Sequence, residues 1–169
     1  MSLQPLDHDL VSAEPAPLFM GALPRSWQEV PTRVVINMCG VGPFGEGYGR
    51  AIHTFALLDV LDVANLPDRH VFESFLDAVH QHAQHEPTYW HCHAGLNRSG
   101  LAVAAYLHRH RGVRISDAIA SLRDRRSPMV LCNSLFDATL RRWYGEDDEQ
   151  DFTPVDIERY LAERQGRRP

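Results

Sequence analysis

Cys92 and Arg98 stand with five residues between them in His91-Cys92-His93-Ala94-Gly95-Leu96-Asn97-Arg98-Ser99-Gly100. Apolar residues lead into this stretch and a helical pattern leads out of it from Ser99 to about His110, so it reads as a strand, a tight loop and a helix N-terminus. Such a junction attracts anions: the first unpaired N–H groups of the helix and the successive loop amides point into one hollow, and the helix dipole adds positive potential there. A thiol facing that hollow loses its proton easily. Free cysteine titrates near ~8.5, and values of roughly 3.5 to 7.5 occur at helix N-termini or beside cations, so Cys92 is expected as a thiolate at neutral pH. Arg98 adds a planar fork of donors that matches two phosphate oxygens at once. The combination is a nucleophile inside a phosphate cradle. A metal reading of His91, Cys92 and His93 fails on geometry, since neighbouring side chains on an extended strand point to alternate faces.

These residues resemble the phosphate-binding loop of the cysteine-dependent protein tyrosine phosphatases, and His91-Cys92-x-x-Gly95-x-Asn97-Arg98-Ser99-Gly100 is most similar to the compact dual-specificity branch. The resemblance implies an α/β fold with a central, mostly parallel sheet flanked by helices. It implies an enzyme that needs no cofactor or metal and hydrolyses phosphotyrosine or phosphoserine/threonine through a cysteinyl-phosphate. Cys92 is then the nucleophile, the amides from His93 through Ala94, Gly95, Leu96 and Asn97 to Arg98 hold the phosphate, Ser99 assists the departing sulfur, and His91 orients the loop and tunes the thiol. An aspartate on a mobile loop upstream serves as general acid. Phe55-Ala56-Leu57-Leu58-Asp59 looks like the family's approach to that residue, with Ala56 where a proline is common; Asp59 is favoured and Asp62 is the alternative. An RNA 5′-triphosphatase or a phosphoinositide phosphatase of the same fold is the enzymatic alternative, and a catalytically inactive phosphate-binding module the non-enzymatic one. The loop carries none of the lysines that lipid phosphatases of this kind tend to place there.

The resemblance implies a phosphorylated protein or peptide as partner, and the bulk properties bound the remaining classes. At 169 residues, with 44% hydrophobic and 23% charged, the chain has the size and composition of one globular domain. No apolar run is long enough to cross a membrane, and no secretory signal pattern opens the sequence. A net charge of −5 without a basic stripe argues against nucleic acid. Three cysteines without regular spacing suggest a reducing compartment, for which the cytoplasm is the default. Oligomeric state is left open.

The remaining elements must position the loop. Residues 1–17 read as a loosely ordered lead-in, 18–165 as the catalytic domain and 166–169 as a tail. Leu18-Phe19-Met20-Gly21 resembles the family's opening strand. Arg33 to Cys39 is a β-branched apolar run suited to a buried parallel strand. Gly40 to Gly49 is an irregular connection that either rims the site or merely joins strands, and Thr54 to Leu58 reads as a further short strand. Val71, Phe72, Phe75, Leu76 and Val79 recur at helical spacing within 68–85. His70, His80, His82 and His85 read there as a solvated face rather than a zinc site. Leu101 to Leu107 lie on an almost wholly apolar helix that Gly112 ends. Ser116 is read as the cap of a helix from Asp117 to about Arg125, another helix runs from Ser134 to Trp143, and a last one opens at Thr153-Pro154 and continues to about Gln165. Asn133 either buttresses the phosphate loop or caps the following helix. Cys39 is either a small buried hydrophobe or a redox partner that protects Cys92 in a reversible disulfide, as in resembling phosphatases.

Overall fold

A computed structural model describes residues 7–43, 47 and 49–145. Five strands form one sheet: β1 (His8–Ser12), β2 (Leu18–Gly21), β3 (Val34–Asn37), β4 (Ala51–Thr54) and β5 (Thr88–His91). Their order is β1-β2-β5-β3-β4, with β1 antiparallel and every other pairing parallel. Among the described residues four α-helices accompany the sheet: α1 (Arg69–Ala83), α2 (Arg98–Arg111), α3 (Ile115–Arg125) and α4 (Ser134–Trp143). The expected α/β architecture is therefore the observed one.

Both central strands are buried at every residue, which is why β3 lies in an unbroken rather than alternating apolar run. Alternation decides which core each side chain joins. Leu18, Met20, Val34, Ile36 and Trp90 pack with the helices, whereas Val35 and Tyr89 meet Trp27 and Val30 in a smaller cluster. Helix α2 runs through the larger core, with every residue from Ser99 to Leu107 buried. Gly112 ends it in the left-handed region at φ 67° and donates its N–H to His108 O.

One row of the register sets the site. Gly21, His91, Asn37 and Thr54 lie side by side at the ends of four parallel strands, so the loops leaving β2, β3, β4 and β5 gather at one edge, the carboxyl edge where open α/β sheets bind ligands.

Three expectations are corrected. The lead-in read across residues 1–17 contains the edge strand β1, which pairs with β2 from His8 opposite Gly21 and buries Val11; its order comes from backbone pairing, to which local periodicity is blind. The strand read at Thr54 to Leu58 lies earlier, at Ala51–Thr54, while Phe55 and Leu57 donate their N–H groups to Asn37 O and Met38 O without forming a ladder. Helix α3 starts at Ile115, so Ser116 lies within it and does not cap it. The helix expected from Thr153 to Gln165 and the tail at 166–169 fall outside the described residues.

Candidate active site

The loop Cys92–Asn97 joins β5 to α2, and nearly all its carbonyls are held from outside. Leu23 N–H donates to His93 O at 3.0 Å and Leu131 N–H to Leu96 O at 3.2 Å. Arg126 donates from Nη2 to Ala94 O at 3.2 Å and from Nε to Gly95 O at 3.3 Å, and Leu101 N–H takes Asn97 O into the first turn of α2 at 2.8 Å. In a trans peptide the carbonyl and the next N–H point opposite ways, so carbonyls fixed outward aim the amides of residues 94–98 inward.

Cys92 is buried at the floor of this ring, with Sγ 3.4 Å from Ser99 Oγ. Burial opposes ionisation, but hydrogen bonds from the Ser99 hydroxyl and from the N–H groups of Ser99, Leu96 and Gly95 outweigh it and hold the thiol below its ordinary range. His91 contributes no charge to that outcome. It is fully buried, its ring nitrogens have no hydrogen-bond partner among the described residues, and burial pushes its pKa down to about 4. The ring stacks on Tyr89 at 5.7 Å and the backbone carbonyl accepts from Met38 N–H at 2.9 Å.

Arg98 donates from Nη1 to Leu57 O at 3.2 Å, while its buried Nε has no partner among the described residues. Leu57 leads directly to Asp59, whose two oxygens accept from Asn97 Nδ2 at 3.0 Å and Asn133 Nδ2 at 2.9 Å. Asn133 N–H in turn donates to Asn97 Oδ1 at 2.9 Å. Asp59 is thus tied to the phosphate loop by a closed set of amide contacts. Asp62 is engaged elsewhere: it caps the short turn Val63–Asn65, accepting from Ala64 N–H at 2.9 Å and Asn65 Nδ2 at 3.0 Å. Asn133 Oδ1 also accepts from Leu135 and Phe136 N–H at the start of α4.

Cys39 follows β3 beside the site, close enough to Arg98 and Cys92 to feel their charges. Burial pushes its thiol up, the reverse of Cys92, and Sγ lies 3.4 Å from Asn37 Oδ1 and 3.5 Å from Val41 O. The helix histidines do not converge. His80 stacks on His110 at 4.1 Å and hydrogen-bonds Tyr106, while His82 sits against His53 at 5.2 Å and faces Glu86. His70 and His85 are exposed. Among the described residues no three histidine, cysteine, aspartate or glutamate side chains meet at a metal position.

Two further features of the site depend on contacts between segments distant in the sequence. Arg126 sits in an arginine-rich helix end that looks solvated, yet its side chain is only 5% exposed. Gly95 and Gly21 touch backbone to backbone: a Cβ on Gly95 would lie 2.3 Å from the Gly21 carbonyl carbon and oxygen and 2.8 Å from Ala22 N, with φ already at +67°. Main-chain atoms cannot rotate away. Gly95→Ala is expected to cost about 3 kcal/mol or more of stability and to abolish turnover. Gly112→Ala, at the same φ with nothing within 4 Å, costs only about 1 kcal/mol. Thermal melts of the two variants check the contrast; equal losses would place the tight contact elsewhere.

A buried thiol and a forked cation around a ring of inward amides, at the carboxyl edge of this sheet, define a phosphate-handling domain of the cysteine-nucleophile type. Comparison with known families gives the narrower assignment: "Dual specificity phosphatase, catalytic domain" matches residues 57–146. The chain belongs to this family. No curated protein sequence matches it. Similar solved structures include human DUSP28, with TM-score 0.66 and 19% identity over 86% of this chain and 97% of that one. Tk-PTP in the active form has TM-score 0.69 and 17% identity over 83% and 98%. A mouse putative dual specificity phosphatase complexed with zinc tungstate has TM-score 0.62 and 20% identity over 86% and 91%. No helix among the described residues is long and apolar enough to cross a membrane.

Proposed function

We propose that this protein hydrolyses phosphomonoesters on phosphorylated proteins or peptides through a cysteinyl-phosphate, without a metal. The observation that carries the reading is a thiol held below its ordinary range by three amides and Ser99, with Asp59 tied to the same loop. Cys92 Sγ attacks phosphorus, forming the S–P bond as the ester P–O bond breaks, and Asp59 gives its proton to the departing oxygen. Asp59 then takes a proton from water, whose oxygen attacks phosphorus. The S–P bond breaks, inorganic phosphate leaves, and Ser99 hydrogen-bonds the returning thiolate. Amides and Arg98 hold the equatorial oxygens throughout, which is most of what phosphoryl transfer requires.

Substrate class follows from the few charges in the loop. Arg98 is its one cation besides the titratable His93, which favours one phosphate over a polyphosphate or a multiply phosphorylated headgroup, and the family match favours phosphotyrosine together with phosphoserine/threonine. A panel of phosphopeptides, phosphoinositides and RNA 5′-triphosphate, with p-nitrophenyl phosphate as generic ester, tests this; turnover of the lipid or RNA arm alone overturns the protein-substrate reading.

Asp59→Asn is expected to lower kcat on phosphopeptides by roughly 10²- to 10⁴-fold. Asp62→Asn should leave kcat close to wild type. The opposite pattern would move the role to Asp62.

A further inference from the structure

We propose that Arg126 is a positioning residue for Cys92, and that Asp7, just before the edge strand β1, and Asp9 within it act on the nucleophile through Arg126 by supplying the carboxylates that keep this guanidinium against the back of the phosphate loop. The inference rests on the catalytic reading above.

The guanidinium has two sets of partners. Toward the loop it donates to Ala94 O and Gly95 O. Away from the loop it donates from Nη1 to Asp9 Oδ2 at 2.8 Å, from Nη2 to Asp7 Oδ2 at 2.9 Å, and from Nη1 to Asp7 Oδ1. The two acids are two residues apart, hence on one side of an extended chain, and Asp7 O also accepts from Ala22 N–H at 2.8 Å.

Peptide geometry carries the effect to the sulfur. Ala94 O and the N–H of Gly95 belong to one rigid plane, as do Gly95 O and the N–H of Leu96. The two carbonyls that Arg126 pins outward therefore aim the Gly95 and Leu96 amides, which are two of the three that hydrogen-bond Cys92. Asp7 and Asp9 have side chains 70% and 40% exposed, against 5% for Arg126. A cation so enclosed is stable only while paired. Without its acids it leaves for solvent, the carbonyls lose their donors, and the two amides lose their aim.

The test is the pH dependence of Cys92 alkylation by iodoacetamide, read on the Cys92 peptide by mass spectrometry, in Asp7→Asn/Asp9→Asn and Arg126→Lys proteins, with p-nitrophenyl phosphate turnover measured alongside. Both variants are expected to alkylate about tenfold more slowly than wild type near about pH 6 and to recover at higher pH, the signature of a thiol pKa raised by about one unit. kcat/KM should fall by a similar factor at low pH and converge on wild type as pH rises. Arg126→Lys keeps the charge beside its acids, so it supplies a folded protein should the double variant not fold. A purely structural role would lower the melting temperature and leave the alkylation profile in place, and an unmoved profile in both variants overturns the proposal. Failure of the catalytic reading looks different: a wild-type protein whose Cys92 alkylates readily at low pH yet turns over no ester.

Discussion

The Cys92→Ser protein is expected to keep its fold and its affinity for inorganic phosphate while losing roughly 10⁴- to 10⁶-fold in kcat. The amides and Arg98 that hold the anion are untouched by the change, and serine Oγ can still hydrogen-bond Ser99. What disappears is the ionised sulfur. The surroundings lower the thiol from a starting point already near neutrality; an alcohol starts far higher, and the same hydrogen bonds leave it protonated. Calorimetry with phosphate and an assay on p-nitrophenyl phosphate separate the two functions. Retained turnover would mean that the nucleophile is another residue. In the wild-type protein the sign of the pH dependence follows from the same shift. The active form is deprotonated, so kcat/KM climbs as pH rises through the depressed thiol pKa and is lost below it.

Arg98→Ala should lower kcat/KM by about 10³- to 10⁵-fold, the range of a cation that stabilises charge on a phosphoryl group in flight. Two effects combine. The guanidinium supplies paired donors to the equatorial oxygens, and its Nη1 bond to Leu57 O ties down the segment that ends at Asp59. Arg98→Lys restores a positive charge but not the fork, so it should recover only a small part of the activity and leave the Leu57 contact weakened. Steady-state kinetics of the three proteins decide the matter; a lysine variant near wild type would reduce Arg98 to a point charge.

The parts of this site legible in the sequence are those whose geometry is local. Cys92, the glycine at 95, Arg98 and Ser99 belong to one strand–loop–helix passage, so spacing alone nearly places them. Helices α1, α2 and α4 announce themselves by apolar periodicity. What separates Asp59 from Asp62 is not local: the two acids lie in similar loop sequence, and it is the side-chain amides of Asn97 and Asn133, distant in the chain, that hydrogen-bond Asp59. Strand β1 is not legible locally because its order depends on β2 rather than on its own pattern. Arg126 is illegible for a stronger version of the same reason, since its acids lie 119 and 117 positions away, and a run of arginines at a helix end ordinarily faces solvent.

The meeting of Gly21 with Gly95 has a bearing on transplantation. A stretch of ten residues that looks like a self-contained cassette is in fact moulded against the end of a distant strand, and its shape is shared property. Grafting it onto another scaffold would succeed only if the recipient offers a bare main chain at the matching place. The same holds for divergence within a lineage: once position 95 acquires a side chain, no single compensating change elsewhere can reopen the gap, because the atoms it meets belong to the main chain of Gly21 and Ala22.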